Sequence, residues 1–361
     1  MRVSGSPVGF LATERAVVVC AGPGGVGKTT LSAAVALGGA RAGRRACVIT
    51  VDPARRLADA LGVETLPNHP TAVPGAFDGS LHALMLDTAG TFDDLIGRYA
   101  RSEAQAEAIR GNRIYRNLTG MLSGTQEYMA MEKLYELTES GDFDLVVVDT
   151  PPTRNALDLL DAPRRLTRFL ENRLFRALLA PTRVSLRVLS VATSALLRTI
   201  GRVAGSEIVQ DAVDFFQAFE GMEQGFDSRA QAVRRLLADP ATAYLLITSP
   251  RPDSIEETAY FAARLAETEV APAALVVNRV HPDFPELSAA PQRPGGALAE
   301  LTENHARLRA MAKQERAAVA ALVDQVAPAP VVRVPLLDSD VHDVAGLGAV
   351  ADLLFSPGPV G

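Results

Sequence analysis

Lysine is scarce in this chain: of its 36 basic residues only Lys28, Lys133 and Lys313 are lysine. Cysteine is scarcer still, with Cys20 and Cys47 alone among 361 residues. Both sit inside apolar, strand-like runs, which excludes a disulfide framework and predicts buried, inert thiols in a cytoplasmic protein. No uninterrupted apolar stretch reaches the roughly 18 residues that a membrane span requires. Residues 1–13 lack the long apolar core of a secretory leader, so a soluble chain is expected. A net charge of −6 gives no general attraction to nucleic acid or anionic lipid, so no nucleic-acid partner is expected. With 48% hydrophobic residues the chain can nevertheless bury a large core.

One of the three lysines falls in the motif Gly22-Pro23-Gly24-Gly25-Val26-Gly27-Lys28-Thr29, directly after the apolar run 16–21. The pattern is glycine, four residues, then Gly-Lys-Thr. In so lysine-poor a chain it arises by accident on the order of once in several hundred sequences. Gly24, Gly25 and Gly27 let the backbone, Val26 included, turn its amides onto phosphates, and the following helix adds its positive end. Lys28 is expected at the β and γ phosphates and Thr29 on magnesium, leaving Thr30 for the α and β phosphates. The ligand so implied is a nucleoside triphosphate with Mg2+.

Short runs rich in valine, isoleucine and leucine recur at 16–21, 46–51, 81–86, 145–148, 243–248, 274–277 and 331–334. They read as buried strands, most of them separated by helical patterns such as 30–41, 254–267 and 298–326. That alternation predicts an α/β fold, a doubly wound, mainly parallel sheet whose ligands gather beyond the strands' carboxyl ends. Two stretches, 91–140 and 163–239, break the alternation and predict a helical subdomain inserted in one domain spanning 15–355. Residues 1–14 and 356–361 read as tails, and 66–79 and 281–296 as surface loops.

Two strands end in aspartate, at Asp52 and Asp149. Beside a phosphate loop these are candidates for water positioning (Asp52) and for support of the magnesium shell (Asp149). The alternative is that each caps the next helix. Between 163 and 206 nine arginines, Arg164 to Arg202, face a single acid, Glu171. At helical spacing Arg183, Arg187, Arg198 and Arg202 cluster on one side, with Leu189, Leu196, Ile200 and Val203 on another. A second stripe follows at Phe215, Phe219, Met222 and Phe226. Such stripes either pack on the core or form a groove for an apolar client or membrane surface. Tyr128, Met131 and Tyr135 read as core contacts.

Residues 22–30, then TVDPARRLADAL (50–61) and DTPPTRNALDLL (149–160), resemble the arsenite-pump and tail-anchored-protein targeting ATPases. PRPDSIEETAYFAARL (250–265), Val276-Val277-Asn278 and Pro335-Leu336-Leu337 extend the resemblance over most of the chain. It implies an ATP hydrolase in which two subunits close face to face around two nucleotides. By position, Asp52 is then the catalytic switch aspartate and Asp149 the second switch acid. Asn278 becomes an adenine contact, although an asparagine at a strand end also serves as a turn former. Pro335 and Leu336 become a wall of the base pocket, the feature that favours ATP over GTP.

Three departures qualify what carries over. Pro23 stands where the class bears a signature lysine that reaches the partner's phosphates, and proline offers neither charge nor an amide proton. That implies either a slow homodimer or a heterodimer with a related subunit carrying the lysine. Arg154 and Asn155 replace the glycine and histidine usual in the second switch. The cysteines that bind zinc or arsenite in relatives are missing. The resemblance leaves three outputs: nucleotide-driven movement of the helical region, a targeting or holding factor for a hydrophobic or membrane-protein client, and the energising subunit of an anion pump.

Overall fold

A computed structural model describes residues 5–52, 54–113, 115–116, 125–151, 211, 214–215, 217–218, 221–286 and 296–356. In chain order the elements are α1 (Gly9–Thr13), β1 (Val17–Ala21), α2 (Lys28–Arg41), β2 (Arg45–Thr50), α3 (Arg56–Leu61), β3 (Thr71–Ala72), β4 (Ser80–Met85), α4 (Thr88–Tyr99) and α5 (Glu103–Gly111). They continue with α6 (Thr125–Glu139), β5 (Leu145–Asp149), α7 (Glu223–Ala238), β6 (Thr242–Thr248), α8 (Pro252–Glu267), β7 (Ala274–Val280), α9 (Ala297–Val326), β8 (Val331–Pro335) and α10 (Val344–Leu354).

β1 reads Val-Val-Val-Cys-Ala and β5 Leu-Val-Val-Val-Asp, buried at every position. Such unbroken β-branched runs have no polar face to offer water and need cover on both sides. The eight strands lie in the order β3-β4-β2-β5-β1-β6-β7-β8, and every pairing is parallel except β3 with β4. The fold is therefore the expected doubly wound α/β sheet. All seven expected strands form. The difference lies at 66–79, where β3 adds an antiparallel edge and Leu66 and Val73 are buried. Two residues in a proline-rich stretch carry too little periodicity to show in the sequence.

The chain divides into two compact units, one of residues 1–85, 136–157 and 238–361, the other of 86–135 and 158–237. The first holds the sheet. Its helix α2 is apolar nearly all round, with Leu31, Val35 and Leu37 fully buried, and α10 packs against it. Cys20 and Cys47 are buried free thiols, and burial pushes Cys20 up to about 12, which keeps it protonated and inert.

In the second unit the described elements are helices. Phe92, Tyr99, Tyr115, Phe215 and Phe226 make a chain of tilted ring contacts, with centroids 5.3 to 6.5 Å apart. Phe215, Met222 and Phe226 are buried, so those members of the second stripe pack inward. Tyr128 and Met131 are core residues too, as expected. Glu132, only 1% exposed, accepts from Arg229 at 2.6 Å and from the Tyr128 hydroxyl at 2.5 Å, while Arg229 stacks over the Tyr135 ring. Both oxygens of this buried carboxylate thus have donors, the condition for tolerating the charge. Phe219, the arginine-rich block 163–206 and its apolar stripe, and Arg154 with Asn155 lie outside the described residues. No described helix is long and apolar enough to cross a membrane.

Where β1 ends, the backbone of Gly22 passes so close to β6 that a Cβ there would lie 2.0 Å from the carbonyl oxygen of Ile247. Gly22→Ala must part the two central strands at their carboxyl ends. It is expected to cost about 2–4 kcal/mol, read as a lower urea midpoint at unchanged slope.

Candidate functional site

β1 lies between β5 and β6, and β5 lies between β1 and β2. In register, Asp149 pairs with Cys20 on one side and Thr50 on the other. Three carboxyl ends therefore meet at one point: the loop after β1, the Asp52 segment after β2, and Asp149 itself.

The loop turns into α2 through Gly27, which caps the helix with φ of 91°. A side chain there is excluded twice, since a Cβ would also lie 2.4 Å from the amide nitrogen of Asn278. The loop's carbonyls are held from outside. Lys28 Nζ donates to Pro23 O at 2.7 Å, Asn278 Nδ2 to Val26 O at 2.8 Å, and Arg279 Nη1 to Gly25 O at 2.8 Å. Among the described residues the amides of 24–27 are given no hydrogen-bond acceptor. Unpaired N–H groups beside a helix N-terminus suit an anion such as phosphate.

Asp149 is 1% exposed. Its Oδ2 accepts from Thr29 Oγ1 at 2.8 Å and from Thr50 Oγ1 at 2.9 Å. Its Oδ1 is buried with no partner among the described residues. Desolvation pushes the carboxyl up to about 6, with the two hydroxyls and Lys28 pulling the other way. Burial likewise lowers Lys28 below its ordinary value, against the pull of Asp149. Thr29 and the orphaned oxygen of Asp149 fit a magnesium ion, which holds few protein ligands and borrows the rest from water and phosphate.

Asp52 is tied differently. Its Oδ1 accepts from the Ala54 amide at 3.0 Å, and its Oδ2 pairs with Arg56 Nη1 at 3.0 Å. The Asp52 amide in turn donates to the Thr50 hydroxyl at 3.2 Å. Thr50 thus ties the Asp149 carboxylate to the backbone of Asp52: its hydroxyl donates to Asp149 Oδ2 and accepts from the Asp52 amide.

A cavity of about 750 Å³ opens over this edge, within the range of small-molecule sites. Gly25, Gly27, Lys28, Thr29, Thr30 and Asp52 line it, together with Arg56, Thr150 and Arg279. Asp59, Ala60, Gly62, Val63 and Glu64 complete the lining with Asp340, Val341 and His342. Asn278, Pro335 and Leu336 stand together at the paired ends of β7 and β8, outside that lining. Leu336 is 51% exposed, and its amide donates to Val280 O.

The residue reading missed three contributors. Thr50 ties the Asp149 carboxylate to the Asp52 backbone, Arg56 holds the Asp52 carboxylate, and Arg279 braces the loop from a left-handed conformation (φ 59°) at an irregularity of β7. A bulge of this kind re-aims a side chain, and the sequence carries no mark of it.

A family model for anion-transporting ATPases matches residues 15–356. An uncharacterized protein of Streptomyces coelicolor is 33% identical over 263 residues, 73% of this chain and 62% of that protein. ATPase GET3A of Arabidopsis thaliana is 27% identical over 266 residues, 73% of this chain and 66% of the plant protein. A putative arsenical pump-driving ATPase 1 of Aquifex aeolicus is 22% identical over 346 residues, 95% of this chain and 79% of that protein. The chain spans less than two thirds of the length of the first two.

Because Asp149 titrates higher folded than unfolded, its protonated form favours the fold. That stability is present below its ordinary value near 4 and is lost as pH rises through about 6. Asp149→Asn should remove this slope and raise the stability of the nucleotide-free protein at pH 7 by about 1–3 kcal/mol. Urea titrations from pH 4 to 8 check it.

Proposed function

This chain belongs to the anion-transporting ATPase family, and on that premise we propose that it is a magnesium-dependent ATP hydrolase. The observation that carries the reading is Asp149: a buried carboxylate with Oδ2 tied to Thr29 and Thr50 and Oδ1 without a partner among the described residues, near Lys28 and the amides of the loop. An acid buried with an orphaned oxygen beside such donors supports a ligand at this edge.

In the mechanism the loop amides and Lys28 grip the phosphates, and Lys28 exchanges the neutral carbonyl of Pro23 for a charged ligand. Thr29 and Asp149 would hold a magnesium ion, which would supply charge neutralisation on the phosphates. Asp52 orients the attacking water. Thr50, bonded to the Asp149 carboxylate and to the backbone amide of Asp52, holds the segment that carries Asp52 beside the metal-supporting acid. Gly22 shapes the start of the loop, Thr30 contacts the inner phosphates, and Asn278, Pro335 and Leu336 flank the base. Residues 15–355 act as one domain, with 91–140 and 163–239 as the helical part that nucleotide closure moves.

The functional unit is a homodimer, or a heterodimer with a related subunit bearing the signature lysine, in the cytoplasm and without nucleic acid. The output is movement of the helical part. The Aquifex relative's name supports a second reading, in which hydrolysis drives an anion pump. A targeting factor for apolar clients is the third, supported by the amphipathic arginine block.

Titration with a fluorescent ATP analogue tests the reading. Affinity should depend on magnesium and fall at least 100-fold in Lys28→Ala, about 2.7 kcal/mol. Undiminished affinity in that variant overturns the ATPase reading. Asp52→Asn should bind normally and hydrolyse about 100-fold or more slowly. Pro23→Lys should accelerate turnover of a homodimer shown to close.

A further inference from the structure

Pro23 deprives the site of a cation, yet the cavity contains one that no role so far uses. Arg56 lines it alongside Lys28, Thr29 and Thr30. Its side chain is 61% exposed, and among the described residues its ion pair is with Asp52, four residues earlier. It stands close enough to Lys28 to disfavour that residue's charge. The neighbouring arginines are committed elsewhere. Arg279 is anchored on Gly25 O, where it braces the loop, and Arg55 donates to Glu64 O at 2.6 Å.

The position of Arg56 has a further consequence. The guanidinium occupies one acceptor site of Asp52 Oδ2 and offsets the charge of the acid. Moving Arg56 away therefore restores that acceptor site and charge and releases a positive charge into the cavity in one displacement. The Arg56 end of the pair is 61% exposed and the Asp52 end 13%, and a triphosphate with its several charged oxygens can outbid one carboxylate for a guanidinium that solvent already reaches.

We propose that Arg56 is a catalytic residue, a cis-acting arginine that leaves Asp52 and stabilises charge on the γ-phosphoryl group in the role for which Pro23 supplies no lysine. In that step the water oxygen bonds to the γ-phosphorus as the bond to the β-phosphate oxygen breaks. The electron pair of the broken bond leaves with ADP, and the water's proton ends on the released inorganic phosphate. Arginine in this role is worth 10³–10⁵ in rate where it has been measured in other phosphate-loop hydrolases. The inference rests on the ATPase reading above.

The test uses the full chain and two readouts. The first is the affinity for fluorescent ADP with and without fluoroaluminate, which mimics the transferring phosphoryl group. Wild type should bind ADP at least 10-fold more tightly with fluoroaluminate, and Arg56→Ala should lose that gain while binding ADP alone within about twofold of wild type. The second is ATP turnover, expected to fall about 100-fold or more in Arg56→Ala and to recover partly on adding guanidinium ion or in Arg56→Lys. Rescue by free guanidinium separates a chemical role from a structural one. Retained fluoroaluminate tightening in Arg56→Ala, turnover within threefold of wild type, or a loss that guanidinium does not restore overturns the proposal. So does a wild type that binds ADP with no tightening, and that outcome leaves nucleotide binding itself standing. A wild type with no magnesium-dependent nucleotide affinity sinks the ATPase reading instead, and this inference with it.

Discussion

The carboxylate of Asp149 lies where β1, β2 and β5 end together, and the arrangement of the whole edge depends on the two hydroxyls that share its Oδ2. Thr29 belongs to the helix that follows the loop, and Thr50 to the strand that leads to Asp52. One buried oxygen therefore fixes the first turn of α2 against the exit of β2. The register pairs that put Asp149 beside Cys20 and Thr50 are properties of a parallel sheet buried on both faces, where a one-residue slip would turn every side chain to the wrong side. Core packing is what holds the acid in place.

Burying that acid works against the stability of the empty protein. Desolvation lifts Asp149 to about 6, and the partners it has only partly offset this. A fold selected for stability alone would bury a neutral group there. Local destabilisation of this kind is concentrated at sites whose missing partner arrives with a ligand. The loop beside it follows the same logic. Its carbonyls at Pro23, Gly25 and Val26 are tied down by Lys28, Arg279 and Asn278, while the amides of 24–27 have no acceptor among the described residues.

Much of this was legible in the sequence. Unbroken Val/Ile/Leu runs can be satisfied only by a sheet covered on both faces, so seven strands and the parallel arrangement were readable. The glycine spacing and the two strand-end aspartates pointed to the edge over which the cavity opens. Long-range register was not readable. Thr50 looks like any β-branched strand residue until Asp149 is placed opposite it. Arg279 acquires its role from a positive φ that a residue with a Cβ rarely adopts. Asn278 reads as an adenine contact by position, yet its amide group already faces Val26 O and the Arg279 amide. β3 was missed because two residues leave no period to detect.

Pro23 enters the site through its carbonyl. Its carbonyl, on a backbone that proline stiffens, becomes the acceptor on which Lys28 rests. Lys28 is 6% exposed and has lost most of its hydration, so without that acceptor its charge would be expensive to keep. Arg56 rests on Asp52 in the same way, although closer to solvent. Lys28 thus rests on a neutral carbonyl and Arg56 on a carboxylate. The two contacts differ in what they would leave behind on release. Lys28 would leave a neutral carbonyl, which alters nothing further. Arg56 would leave a carboxylate at the edge of the cavity, so that under the proposed mechanism phosphate binding by Arg56 would prepare Asp52 to act on water.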